Sequence, residues 1–159
     1  MATRKQVTVF LENKPGRLAQ VLSALAQARI NIVALAVMDR SDQPVLRLVT
    51  EDEPATRKTL GGLNLQCTMN DVLAVELKNQ PGALAHVCET LAAGHINVDY
   101  AYCSSGGRNG KTLGIFRVSN ALKAMRVIGE SPNNSVRRRL QQRPLRNRQS
   151  YQPPGVGRR

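Results

Sequence analysis

The hydrophobic positions of this chain change period in a fixed order. Val7-Thr8-Val9-Phe10-Leu11 is rich in β-formers and partly alternating, which predicts a strand. Between Pro15 and Ala28, the residues Leu18, Val21, Leu22 and Leu25 follow the i, i+3, i+4, i+7 spacing of one helix face. Pro15 suits the first helical position, where its missing N–H costs nothing. Ile30 to Met38 and Val45 to Thr50 read as strands, joined by the turn residues Ser41-Asp42-Gln43-Pro44. Glu53 to Leu60 reads as a short helix capped by Asp52, and Leu63 to Thr68 as a short fourth strand.

The same order then begins again. Val72–Lys78 predicts a strand and Pro81–Ala93 a helix, with Leu84, Val87, Cys88 and Leu91 on its apolar face and Gly94 as a left-handed stop. Strands Ile96–Cys103 and Thr112–Ser119 follow, separated by the glycine-rich turn Ser104–Gly110, and then a helix over Ala121–Ile128. Laying Pro15-Gly16 over Pro81-Gly82 sets an offset of 66, at which 12 of the 26 positions from Val7 to Ile32 are identical. About two would be expected by composition. One further residue of shift also brings Leu46-Arg47-Leu48 over Leu113-Gly114-Ile115. The chain reads as a tandem duplication joined near Met69 to Asp71.

The fold class expected is α+β: two ferredoxin-like βαββαβ units, with antiparallel sheets and the helices of each on one face, packed as a pseudo-symmetric pair. One unit has a thin core, and pairing two buries more surface. The expected boundaries are 1–70, 71–129 and a tail over 130–159. After Gly129 the repeat calls for a last strand, but Glu130-Ser131-Pro132-Asn133-Asn134 and an Arg-, Gln- and Pro-rich stretch follow. The second unit is therefore expected to lack its last strand, and the tail has the composition of disorder.

Composition narrows the function classes. Aromatics are 3% and Trp is absent, so the core must be aliphatic. Cys67, Cys88 and Cys103 are odd in number and lack CxxC spacing, against a disulfide framework or zinc site and in favour of a reducing compartment. Cys88, on the core-facing side of its helix, reads as a small hydrophobe. There is no secretory signal pattern and no apolar run long enough to span a bilayer, so the cytoplasm is expected and no membrane partner. The net charge is +12, but eight of the 23 basic residues and a single acid lie from Glu130 onward. Charge thus speaks for the tail more than for the body.

The most informative signal is Asn13-Lys14-Pro15-Gly16-Arg17-Leu18, repeated as Asn79-Gln80-Pro81-Gly82-Ala83-Leu84, joining a strand to a helix in both copies. A helix start offers unpaired N–H groups and partial positive charge, and glycine admits a ligand close to the backbone. The Asn amide both donates and accepts, which suits a group carrying amine and carboxylate. Turn chemistry alone would also account for one isolated copy.

A strand ending in Asn-x-Pro-Gly-x-Leu-Ala, an amphipathic helix, then Ile30-Asn31-Ile32 or Ile96-Asn97-Val98 resembles the ACT domain, and the resemblance covers residues 7–128 in two copies. It implies a stand-alone regulatory protein binding a free amino acid between paired ACT domains, a homodimer through ACT–ACT pairing, and a regulated enzyme as partner. By motif position the ligand contacts implied are Leu11, Asn13, Pro15, Gly16 and Asn31, with Leu77, Asn79, Pro81, Gly82 and Asn97 in the second copy. The family often has Gly immediately before the Ile-Asn pair; here Arg29 and His95 stand there. Serine-binding members that use a His in the first strand would have it where Leu11 and Leu77 stand.

No catalytic constellation is legible: no nucleophile–base pair, no metal cluster around His86 or His95, and no cofactor loop, so neither an enzyme nor a cofactor or metal is expected. Asp39 and Asp42 read as solvated turn acids. Tyr100 and Tyr102 share a sheet face, replacing Ala34 and Ala36 of the first copy, and would line a pocket or fill volume. The alternative function is nucleic-acid binding through Arg137-Arg138-Arg139, Arg143, Arg146 and Arg148. Only Phe10 and Phe116 among the Phe, Tyr and Trp residues would offer one stacking aromatic per unit on the first and third strands, which is poor for reading RNA on the sheet.

Overall fold

A computed structural model describes residues 1–38, 44–107 and 111–130. The turn acids Asp39 and Asp42, the tip of the glycine-rich turn and the Arg-rich segment lie outside the described residues. Strand β1 spans Ala2–Phe10, helix α1 Arg17–Gln27, β2 Ile32–Met38, β3 Val45–Thr50 and α2 Glu53–Gly62. Then β4 spans Cys67–Lys78, α3 Ala83–Ala93, β5 Val98–Gly107, β6 Lys111–Val118 and α4 Ala121–Glu130. All strand pairs are antiparallel in one six-stranded sheet of order β2-β3-β1-β4-β6-β5.

The α+β duplication holds, and the structure shows how the two units share their middle. The expected fourth strand of unit one and first strand of unit two are one continuous strand, β4, whose N-terminal part pairs with β1 from Val7↔Met69 to Val9↔Cys67. Leu63 to Gln66, expected to begin that strand, are a turn and linker instead. The polar segment before Val7, which has no strand pattern, is strand as well: Ala2 to Gln6 pairs with Ala74 to Asn70. In the second unit this segment occupies the place beside β4 that β4 occupies beside β1 in the first. The last strand that unit two lacks is therefore supplied by the beginning of unit one.

Alternation along the strands assigns the faces. Val7, Val9, Leu46 and Leu48 meet Val21, Leu25 and Leu60 of the helices. Leu73, Val75, Phe116 and Val118 meet Val87, Leu91, Ala124 and Ile128 in the second unit. Ladder registers Val7↔Leu48 and Leu73↔Phe116 make the third-strand equivalence 68 residues, correcting the 67 read from the sequence. A one-residue slip would turn every side chain to the wrong face. Gly114 thus replaces Leu46, and a Cβ there would lie 2.8 Å from Phe116 Cε2, so the larger Phe116 is accommodated by the missing side chain.

The opposite, helix-free face is also buried. Ala34, Val49, Val72, Ala74 and Ile115 form a third cluster there. The edge strands β2 and β5 approach each other, so the sheet curls and this face becomes concave. Gln6, fully buried, donates from Nε2 to Tyr100 OH at 2.7 Å and accepts at Oε1 from Tyr102 OH at 3.0 Å. Burial, reinforced by neighbouring Tyr100 and opposed by Arg47, pushes the Tyr102 hydroxyl pKa far above its ordinary value.

Candidate functional site

Each Asn-x-Pro-Gly segment forms a tight turn ahead of its helix. Gly16 and Gly82 adopt left-handed conformations at φ 85° and 81° and are the N-caps. Arg17 N donates to Lys14 O, and Ala83 N to Gln80 O, both at 3.3 Å, the arrangement of a type II turn with Pro then Gly at its centre. Pro15 and Pro81 therefore precede the helices rather than starting them, because the turn consumes both residues. Neither helix start has a side-chain cap, so the first-turn N–H groups after Arg17 and Ala83 have no capping side chain.

The helix ends explain Ile-Asn. Ile30 N donates to Leu25 O and Arg29 N to Ala26 O, both at 2.9 Å; Ile96 N to Leu91 O and His95 N to Ala92 O repeat this at 2.9 Å. These are Schellman stops whose left-handed residues are Arg29, φ 57°, and His95, φ 51°. The stop expected at Gly94 thus falls one residue later, and Gly94 has an ordinary φ of −81°. Its small size is used differently: a Cβ would sit 3.1 Å from Val127.

Of the ten residues implied as ligand contacts, Leu11 and Leu77 are buried in the helix-side cores. Asn13, Pro15, Gly16, Asn31, Asn79, Pro81, Gly82 and Asn97 are exposed. Asn31 O accepts from Glu51 N and Asn97 O from Ser119 N, while Asn97 Nδ2 donates to Asp99 Oδ1 at 3.1 Å. Leu11 lines a cavity of about 580 Å³ beside the start of α1, with Glu12, Arg17, Gln20 and the Leu63–Gln66 turn. Cys88 is exposed, and so is Leu84, because α3 turns Val87 and Leu91 to the sheet instead.

The two loops differ in charge. Arg17 bonds Glu12 Oε2 through Nε and Nη2 at 3.2 and 2.9 Å, and Lys14 Nζ lies 3.2 Å from the same oxygen. The Arg17 bond, then that of Lys14, holds the Glu12 carboxyl below its ordinary pKa. The second loop has Lys78, Gln80 and Ala83 at these places, so its helix start has no such ion pair over it. Because β1 and β4 are antiparallel, the loops lie at opposite ends of the central ladder, roughly 40 Å apart along the strand at ~3.3 Å per residue.

Gln6 and Arg47, which carry no motif, reach the concave face. Their signal was a polar residue next to or among apolar strand positions. Gln6 borders the alternating run, and Arg47 interrupts Val45-Leu46-Arg47-Leu48-Val49. Among the described residues, no group of three or more His, Cys, Asp or Glu could hold a metal, and no helix is long and apolar enough to cross a membrane.

A family model for the ACT domain pair matches residues 2–139. The crystal structure of a protein from Bacteroides thetaiotaomicron is similar at 34% identity and TM-score 0.74, over 80% of this chain and 88% of that one. The regulatory subunit of aspartate kinase from Thermus thermophilus is similar in fold at 13% identity and TM-score 0.60, over 82% of this chain and 97% of that one. Its counterpart from Thermus flavus has 18% identity and TM-score 0.55, over 81% and 94%. No curated protein matches the sequence.

Proposed function

This chain belongs to the ACT domain-pair family, and from that premise we propose that it is a non-catalytic regulatory protein that senses a free amino acid in the cytoplasm. The observation that carries the reading is the repeated left-handed glycine turn, which twice presents an uncapped helix start beside an Asn. An amino-acid carboxylate on the first-turn N–H groups would gain about 0.3–1 kcal/mol from the helix dipole. Asn13 with Asn31, and Asn79 with Asn97, would meet the polar groups around the α-carbon.

The two loops point to opposite ends of the central ladder, so pairing within the chain leaves each on an outer end. A second copy docking there would wall each ligand, which favours a homodimer with ligands between paired ACT domains. Similarity of fold to aspartate kinase regulatory subunits supports a regulated enzyme as partner.

A thermal-shift screen of the purified chain against the twenty amino acids tests this. A ligand selective for the folded state adds about 2.7 kcal/mol at roughly 100-fold excess over Kd. A shift with one or a few amino acids, weakened by Asn79→Ala or Asn97→Ala, is expected. No shift with any, or a shift untouched by both variants, would overturn the ligand or the site respectively.

A further inference from the structure

We propose that the cleft on the concave, helix-free face binds a small organic anion through a carboxylate seated on the Arg47 guanidinium. Leu46 and Leu48 point to the helices, so alternation sends Arg47 to the opposite face. There its guanidinium carbon lies 3.5 Å from the Tyr100 ring centroid. Stacking satisfies the flat face of the cation but not its edge, where the N–H donors lie in plane. Arg47 Nε and Nη1 are fully buried and have no hydrogen-bond acceptor among the described residues. An arginine cannot shed its proton, and burying N–H donors without an acceptor is costly. These in-plane N–H groups are the donors that carboxylate oxygens would satisfy.

The surroundings fit such a guest. A cleft of about 340 Å³ opens at Arg47, with Thr8 and Asn70 as neutral polar neighbours and Phe10, Met38 and Val45 as an apolar wall. Thr8 Oγ1 accepts from Gln6 Nε2 at 3.1 Å, leaving its own hydrogen to donate. The other cation of the cleft is already engaged: Arg117 Nη1 donates to Asp71 O at 2.8 Å, and its Nε lies 3.9 Å from Asp99 Oδ2. Asp99 is held by Asn97 as well. Among the described residues that line the cleft, Arg47 is thus the cation left for an incoming anion.

The duplication supplies an internal control. By ladder register, Ile115 replaces Arg47, Ala34 replaces Tyr100 and Val72 replaces Gln6 in the other half of the face. That half is closed by apolar packing. The fold therefore does not require a cation at this place. The site is separate from the helix-start loops and does not rest on the reading proposed for them.

The shared chemistry is a carboxylate, from a simple organic acid or from an amino acid whose ammonium meets Asp99. The chain has no Trp, and two of its three tyrosines lie on this face, so tyrosine fluorescence of the full chain reads the cleft directly. Titration with sodium butyrate at constant ionic strength is expected to give a saturable change, and butyramide none. Arg47→Met is expected to weaken butyrate by roughly ten- to a hundredfold, the span carried by hydrogen bonds to charged groups. Asn79→Ala is expected to leave it unchanged. Tighter binding of 2-aminobutyrate that Asp99→Asn levels to butyrate identifies an amino acid as guest; equal affinities identify an organic acid. No saturable change with either carboxylate, an equal response to butyramide, or undiminished binding in Arg47→Met would overturn the site. The butyrate–butyramide contrast needs no variant and decides the matter even if Arg47→Met does not fold.

Discussion

Lys5 Nζ lies 2.8 Å from Asp71 Oδ1, and the two residues are each other's repeat equivalents, 66 positions apart. They also face each other in the β1–β4 ladder. The repeat relation exchanges the flanking pairs, turning Gln6↔Asn70 into Val72↔Arg4, but returns Lys5↔Asp71 to itself. The pseudo-twofold axis of the molecule passes through this ion pair.

An ion pair on the axis has a simple consequence. Both side chains are about half exposed, so the pair is worth at most ~1 kcal/mol. Asp71→Lys places two lysines on the axis and is expected to destabilise by up to about 1 kcal/mol. Adding Lys5→Asp restores the opposite charges in an equivalent setting. Urea denaturation of both singles and the double measures the recovery.

Residues Ala2 to Lys5 complete the second unit rather than the first. Deleting residues 1–5 is expected to cost on the order of 2–5 kcal/mol, several ladder hydrogen bonds at about 1 kcal/mol each. Hydrogen exchange is expected to rise most in β4 between Asp71 and Ala74. A uniform rise over both units would contradict the exchange of strands.

Gly16 and Gly82 have open space where a Cβ would go, so alanine there meets no clash. The cost is purely conformational, about 1–2 kcal/mol for a left-handed L-residue. Gly82→Ala is expected to lower the unfolding free energy by that amount, read as a lower midpoint of chemical denaturation with an unchanged slope.

Arg29 and His95 hold left-handed conformations without being glycine. Releasing that strain outweighs the extra entropy glycine loses on folding. His95→Gly is expected to stabilise by roughly 0.5–1 kcal/mol, seen as a higher Tm. An unchanged or lower Tm would mean that the His95 side chain contributes more than its backbone costs.

Tyr102 binds its proton more tightly when folded than its ordinary value of 10.0, because burial disfavours the phenolate. Its contribution is complete below that value and is lost as pH rises beyond it. Stability is therefore expected to fall with alkaline pH above about 10, with Tyr102 ionising only as the chain unfolds. Phenolate absorbance against pH, compared with Tyr102→Phe, reads this directly.

The helices and the two glycine turns were legible because their signals are local. The 3.6-residue period marked Val21 and Leu25, and Pro-Gly marked the turns. The precise helix starts were not, since Pro-Gly suits both a first helical residue and a turn before it. Among the candidate ligand contacts, the positions of the Asn residues at loop and helix ends followed from the motif. Leu11, just past the end of β1, and Leu77, within β4, are core residues, in keeping with their apolar character.

The repeat in the amino-acid order determined that there are two like units, their helices and their turns, because each depends on neighbours a few residues apart. Only the tertiary structure decided that Ala2 to Gln6 would become a strand, since these residues carry no alternation and are ordered by β4 far along the chain. It alone brought Arg47 onto Tyr100. Their strands stand four places apart in the sheet, about 19 Å on a flat one at ~4.8 Å per strand, and only the curl closes that gap to 3.5 Å. Local pattern sets which face a side chain takes; curvature of the whole sheet sets what it meets there.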